Sequence, residues 1–198
     1  HPLKSILVTS PGSDEGKTTL AINLALVIAQ TGKRVILLDG DLRLPNVHKI
    51  LNIPNRQGLS DLLRGRANLQ SVVANLENTQ LKVITSGSLP PNPAEVLGSE
   101  RMSKVIAELK GPADMVVIDG PPFLLADAAL LSSKVDGVLI VIQMNRTTVT
   151  ESLAMLEQLE RAGARVLGVV LNRIKGKDAH YYHREAKDYA PLSYETSQ

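Results

Sequence analysis

Short apolar runs rich in Val, Ile and Leu recur along the chain at Ser5 to Val8, Arg34 to Leu38, Leu81 to Thr85, Met115 to Ile118, Gly137 to Ile142 and Val166 to Leu171. Each has the length and residue type of a buried strand. Between them, apolar positions recur at helical spacing over Lys17 to Thr31, Pro93 to Lys110, Ala126 to Val135 and Thr147 to Ala162, with Gly32 and Gly163 placed to stop the first and last of these helices. Strands apolar on both faces, alternating with crossover helices, predict a mostly parallel sheet covered on both sides. The expected fold is a three-layer α/β/α domain over residues 1–175, without internal repeat or linker. From 176 the periodicity gives way to a polar tail, 176–198.

The turn after the first run reads Thr9-Ser10-Pro11-Gly12-Ser13-Asp14-Glu15-Gly16-Lys17-Thr18-Thr19 and leads straight into a helix. This is the setting of a phosphate-binding P-loop. Backbone N–H groups from Gly12 through Asp14, Glu15 and Gly16 to Thr19 can wrap phosphates at a helix N-terminus, Lys17 can reach the β and γ phosphates, and the Thr18 hydroxyl can ligate Mg²⁺. The general motif has Gly five positions before Gly16, where this chain has Pro11, so Gly12 is expected to supply the missing flexibility.

Phosphate chemistry also calls for carboxylates, and two sets follow apolar runs, where ligands bind in open α/β sheets. Asp39-Gly40-Asp41-Leu42-Arg43 follows Val35 to Leu38, and alternation along an extended segment would turn Asp39 and Asp41 to one side, toward the γ-phosphate. Asp119 follows Met115 to Ile118 and precedes Gly120-Pro121-Pro122, the form of a Walker B aspartate that holds a metal shell.

Composition narrows the chemistry further. The chain of 198 residues carries a net charge of +2, so no nucleic-acid partner is expected. It has no Cys, which excludes disulfides, thiolate metal sites and a cysteine nucleophile, and its four His lack metal-site spacing. Apolar runs such as Val138 to Ile142 fall far short of the roughly 20 residues that span a bilayer. The start at His1-Pro2, with a strand-like run almost at once, reads as a piece of a longer chain.

Together these motifs resemble the catalytic domain of the bacterial tyrosine kinases that accompany capsule and exopolysaccharide export. The likeness covers nearly the whole chain. Thr9-Ser10 with Glu15-Gly16-Lys17-Thr18 is similar to that family's Walker A, Leu37-Leu38-Asp39-Gly40-Asp41-Leu42-Arg43 to its Walker A′, and Val117-Ile118-Asp119-Gly120-Pro121-Pro122 to its Walker B. Gly58-Leu59-Ser60-Asp61-Leu62-Leu63 and Leu89-Pro90-Pro91-Asn92-Pro93-Ala94-Glu95 resemble stretches between those motifs.

The resemblance implies ATP, Mg²⁺ and autophosphorylation of tyrosines near the C-terminus. All four tyrosines here, Tyr181, Tyr182, Tyr189 and Tyr194, fall in the last 18 residues. Random placement gives that arrangement with a probability of roughly 10⁻⁴.

On this reading Asp39 is expected to accept the tyrosine proton, and Asp41, Asp119 and Thr18 to hold Mg²⁺, with the division between Asp39 and Asp41 left open. Arg43 either orients the aspartates or pairs structurally. By resemblance to related P-loop ATPases, Asn172 reads the adenine edge and Arg173 packs on the ring. Arg146-Thr147-Thr148 is expected to cap a helix.

The resemblance further implies a location at the inner face of the cell membrane, through a transmembrane adaptor segment or partner protein. It also implies assembly with further copies and a cognate tyrosine phosphatase, while the family's Glu-x-x-Arg-x-x-Arg assembly helix would lie before Leu3. The competing reading is an ATP-gated interaction switch, like the plasmid-partitioning and septum-placing ATPases. Those carry a signature Lys where this chain has Gly12.

Overall fold

The computed structural model describes residues 3–174. Its elements are β1 (Ser5–Thr9), α1 (Lys17–Gln30), β2 (Val35–Asp39), α2 (Val47–Ile50), α3 (Leu59–Leu63), α4 (Leu69–Val72), β3 (Val73–Asn75), β4 (Leu81–Ile84), α5 (Pro93–Gly98), α6 (Glu100–Leu109), β5 (Met115–Asp119), α7 (Ala126–Ser132), β6 (Gly137–Gln143), α8 (Val149–Arg161) and β7 (Val166–Asn172). One seven-stranded sheet runs in the order β3-β4-β2-β5-β1-β6-β7, parallel except where β3 meets β4. Parallel pairing gathers the carboxyl ends of β1, β2, β5, β6 and β7 along one edge. Register then pairs Asp39 with Asp119 and Gln143 with Asn172 at that edge.

Both faces of the central strands are buried, as their uninterrupted apolar runs require. Leu7, Ile36, Leu38, Val116 and Ile118 pack on one side with Leu97, Met102, Leu109, Leu131 and Leu159 from α5 to α8. Val8, Val35, Leu37 and Val117 pack on the other with Ala21, Ile22, Ala25 and Ala29 of α1. Small side chains at 21 and 25, one helical turn apart, let α1 lie close on the sheet and set its N-terminus over the end of β1.

Two expectations change, and four elements are added to those expected. The single helix over Pro93 to Lys110 is two, because Ser99 takes an extended conformation (φ −62°, ψ 154°) and its hydroxyl accepts from the Met102 amide at 3.3 Å to start α6. β7 is an edge strand paired only with β6, so it is half-exposed rather than buried, with Val169 51% accessible. β3 and the short helices α2 to α4 carry too few residues to show a periodicity of their own. The tail 176–198, with Tyr181, Tyr182, Tyr189 and Tyr194, lies outside the described residues.

Candidate active site

The loop between β1 and α1 turns in the left-handed region at Asp14 (φ 59°) and Gly16 (φ 100°), whereas Gly12 does not. The expected flexibility at Gly12 is therefore not what the loop uses. Asp tolerates that conformation at modest cost, and Gly16 is required twice over, because a Cβ there would also run into the Asn172 side-chain amide. Gly12 instead donates its N–H to Glu15 Oε2 at 2.9 Å.

Glu15 holds the loop from inside. Its side chain is 2% exposed, and the Thr147 hydroxyl, at the start of the turn into α8, donates to its other oxygen. Its carbonyl accepts from Asn172 Nδ2 at 2.8 Å, and Asn172 Oδ1 accepts from the Arg173 amide at 2.9 Å. The Arg173 guanidinium reaches Gln143 Oε1 at 3.1 Å. The ends of β6 and β7 are thus tied to the phosphate loop through hydrogen bonds of Thr147 and Asn172. Thr148 caps α8 in a reciprocal box with Glu151, the duty expected of this stretch. The Thr147 contact was not legible in the sequence.

Lys17 opens α1 and is buried, its Nζ donating to the Gly12 carbonyl at 3.3 Å. Burial lowers its pKa, with the charges of Asp119, Asp41, Glu15 and Asp14 opposing the shift. Thr18 and Thr19 follow on the cavity wall, as do Asp14 and Gly16.

The carboxylates separate by depth. β2 ends at Asp39, and the chain then turns, with the Gly40 amide on the Asp119 carbonyl and the Leu42 amide on the Gly40 carbonyl. The alternation that would aim Asp39 and Asp41 the same way therefore stops short. Asp39 is fully buried, its two oxygens accepting from the amides of Asp41 (3.3 Å) and Val47 (3.2 Å). Burial and the charge of Asp119 hold its pKa well above the ordinary carboxylate range. Asp41 lines the cavity, with Oδ1 anchored by the amides of Arg43 (3.1 Å) and Leu44 (3.0 Å).

Arg43 pairs with neither aspartate. Its guanidinium forks onto Asp127 at 2.6 and 3.1 Å, and that carboxylate is 1% exposed. Asp127, in the first turn of α7, fixes the loop that carries Asp41. An acidic residue on the buried side of an otherwise apolar helix was the available clue.

Asp119 is 1% exposed, and neither of its oxygens completes a hydrogen bond among the described residues. Burial pushes its pKa up to about 7; the nearby Thr18 hydroxyl and Lys17 charge pull it back and Asp41 adds to the rise. A buried carboxylate without a donor, beside a threonine hydroxyl, fits a hard cation. No cage of three His, Asp or Glu stands preassembled among the described residues. Mg²⁺ at a nucleotide needs none, because it keeps waters and takes phosphate oxygens.

Asp119 also makes a prediction about stability. An unfolded aspartate titrates near 3.9, so between about pH 4 and 7 the native state holds a proton that the unfolded chain has released. Stability therefore falls as pH rises through that window, by up to about 1.4 kcal/mol per pH unit from this group. Thermal melts of chelator-treated, nucleotide-free protein should drop from about pH 5 to about pH 7.5, and Asp119→Asn should flatten that slope. An equal slope in the variant would remove Asp119 as its source.

Lys17, Thr18, Asp41, Arg43 and Arg173 share one cavity of about 470 Å³ at the carboxyl edge of the sheet. A left-handed glycine loop at a helix N-terminus, a buried lysine and strand-end carboxylates define a P-loop nucleotide-binding domain. Residues 6–190 match the CobQ/CobB/MinD/ParA nucleotide binding domain. The chain is 38% identical over 188 residues to tyrosine-protein kinase YwqD of Bacillus subtilis, covering 94% of this chain and 79% of that protein. It is 34% identical to tyrosine-protein kinase Etk of Escherichia coli K12 over 85% of this chain, but spans 23% of that longer protein.

Among solved structures, the chimerical protein CapA2B2 superposes with a TM-score of 0.85 at 37% identity, covering 89% of this chain and 78% of that one. The kinase domain of Escherichia coli ETK gives 0.85 at 31%, covering 98% and 72%. The septum site-determining protein MinD of Pyrococcus horikoshii, complexed with Mg-ADP, gives 0.75 at 26%, covering 87% and 71%. The chain belongs to the CobQ/CobB/MinD/ParA nucleotide-binding family and, within it, to the bacterial tyrosine-protein kinases.

Proposed function

We propose that this tyrosine-kinase domain uses ATP and Mg²⁺ to phosphorylate its own C-terminal cluster, Tyr181, Tyr182, Tyr189 and Tyr194, and thereby regulates capsular or exopolysaccharide synthesis and export. The observation that carries the reading is one cavity lined by Lys17, Thr18 and Asp41, with Asp119 buried behind it, in a chain 38% identical to a tyrosine-protein kinase.

Phosphoryl transfer is catalysed mainly by positioning and charge neutralisation. The amides of the loop and the Lys17 ammonium receive the phosphates. Thr18 and Asp119 are the groups that would hold Mg²⁺, whose bound charge offsets that building up on the phosphate oxygens. The proton of the attacking hydroxyl goes to Asp41, the aspartate that lines the cavity, whose Oδ1 is anchored by two amides and whose Oδ2 is the oxygen left to take it. Asp39, buried with both oxygens bonded to amides, holds the turn that presents Asp41. This gives Asp41 the proton-accepting role that was expected of Asp39, a division the sequence left open. Asn172 and Arg173 flank the loop on the β7 side, where the base would lie.

A septum-placing switch shares the fold, and the likeness to MinD reports that fold. The kinases superpose more closely and at higher identity. No helix among the described residues is long and apolar enough to cross a membrane. Attachment to the inner membrane face through an adaptor segment or protein, assembly with further copies and reversal by a tyrosine phosphatase complete the proposal.

A chain with all four tyrosines changed to Phe should take up no phosphate yet still phosphorylate a synthetic peptide of residues 178–198, as read by mass spectrometry. Phosphate on serine or threonine of the substituted chain would refute the assignment of the tail.

A further inference from the structure

Around the cavity mouth the polar wall gives way to three large aliphatic side chains left open to water: Leu44 is 72% exposed, Ile50 53% and Leu124 86%. Single exposed leucines are ordinary, but three on one phosphate-binding cavity call for an apolar occupant. Leu44 and Ile50 follow β2 and the aspartate turn, and Leu124 follows β5 and Asp119. The strand order places β5 and β2 on one flank of β1, with β6 and β7 on the other. The aliphatic group therefore lies on the carboxylate flank, across the loop from Asn172 and Arg173. An adenine ring on the Asn172 and Arg173 side would leave this group uncovered.

We infer that Leu44, Ile50 and Leu124 form a collar that receives the phenol ring of the acceptor tyrosine, presented by the Tyr181–Tyr194 segment, and that this collar selects tyrosine over serine and threonine. The inference rests on the kinase reading above and deepens it. A tyrosine hydroxyl stands one ring's length farther from the backbone than a serine hydroxyl. A reacting end set beyond an aliphatic rim therefore admits the first and leaves the second short. Phe123, the one Phe, is 4% exposed and Trp is absent, so among the described residues the ring meets aliphatic carbon at the cavity mouth rather than another ring.

The tail of this chain, carried by a further copy, supplies the occupant. Arg173 lines this cavity, and Tyr181 lies only seven residues past Ile174. In the collar, the tyrosine Oη bonds to the γ-phosphorus of ATP as the bond to the β–γ bridging oxygen breaks. The phenol proton passes to Asp41, and ADP leaves.

The test uses the Leu44→Ser/Leu124→Ser double variant, whose two sites are exposed enough to leave the fold intact, and the conservative Leu124→Met. The probes are a peptide of residues 178–198 and the same peptide with Phe at each tyrosine. Loss of about 50 Å² of ring contact at each leucine should lower kcat/KM for the tyrosine peptide about tenfold or more. The Phe peptide should inhibit wild type and lose that inhibition against the double variant. Leu124→Met should retain most activity, and affinity for a fluorescent ADP analogue should stay within about twofold.

Equal peptide kinetics in wild type and double variant would overturn the collar. So would a parallel loss of ADP affinity, which would assign these leucines to the nucleotide. A wild type that phosphorylates no tyrosine at all would instead overturn the kinase reading on which the collar depends.

Discussion

Lys17→Met should reduce phosphate transfer to tyrosine by about 10³-fold or more, equivalent to about 4 kcal/mol of lost transition-state stabilisation. Lys17 is 7% exposed and is the cation set among Asp119, Asp41, Glu15 and Asp14. In that water-poor setting its charge acts on the phosphates at short range. Methionine keeps the length of the side chain and fills the same buried space, so the fold should survive. The Gly12 carbonyl loses one donor, and the four carboxylates lose their counter-charge. Nucleotide affinity should fall as well. The check is the rate of phosphotyrosine formation together with a thermal melt. A variant of normal stability and undiminished rate would remove Lys17, and with it the loop, from the chemistry.

The second large effect separates the paired aspartates. Asp41→Asn should lower tyrosine phosphorylation by about 10²- to 10⁴-fold, the usual range for loss of a proton acceptor, while ADP binding persists. The substitution keeps the carbonyl oxygen that can accept from the amides of Arg43 and Leu44. Asp39→Asn should act differently. An amide can accept from only one of the two N–H groups now served by the Asp39 carboxylate, from Asp41 and Val47, and turns an NH₂ toward the other. That loss should appear in stability as well as rate, at about 1–3 kcal/mol for the unsatisfied group. Melting curves and single-turnover rates for both variants decide the matter. Retained stability with full loss of transfer in Asp39→Asn, and an active Asp41→Asn, would return the proton-accepting role to Asp39.

What the sequence could reveal was what local pattern determines. The runs ending at Val8, Leu38 and Ile118 are apolar on both faces because helices cover the sheet on both sides, so strand type and layer architecture followed from the pattern of apolar positions. The loop at 9–19 could be read because its chemistry is carried by contiguous residues. Pairings set by topology could not be read. Arg43 and Asp127 are 84 residues apart, and Glu15 and Thr147 are 132 apart. They meet because β1, β2, β5 and β6 end along one edge. The exposure of β7 likewise follows from its place in the strand order. The depth difference between Asp39 and Asp41 arises from the turn at Gly40, which strand alternation does not foresee.

The most direct test of tyrosine autophosphorylation is intact-mass spectrometry of the purified chain before and after incubation with ATP and Mg²⁺, with fragmentation to place any added phosphate. The account predicts phosphate on Tyr181, Tyr182, Tyr189 or Tyr194, and none when Lys17 is Met. ATP turnover that leaves the chain at its original mass, with no phosphotyrosine at high protein concentration, would contradict it and favour the interaction switch.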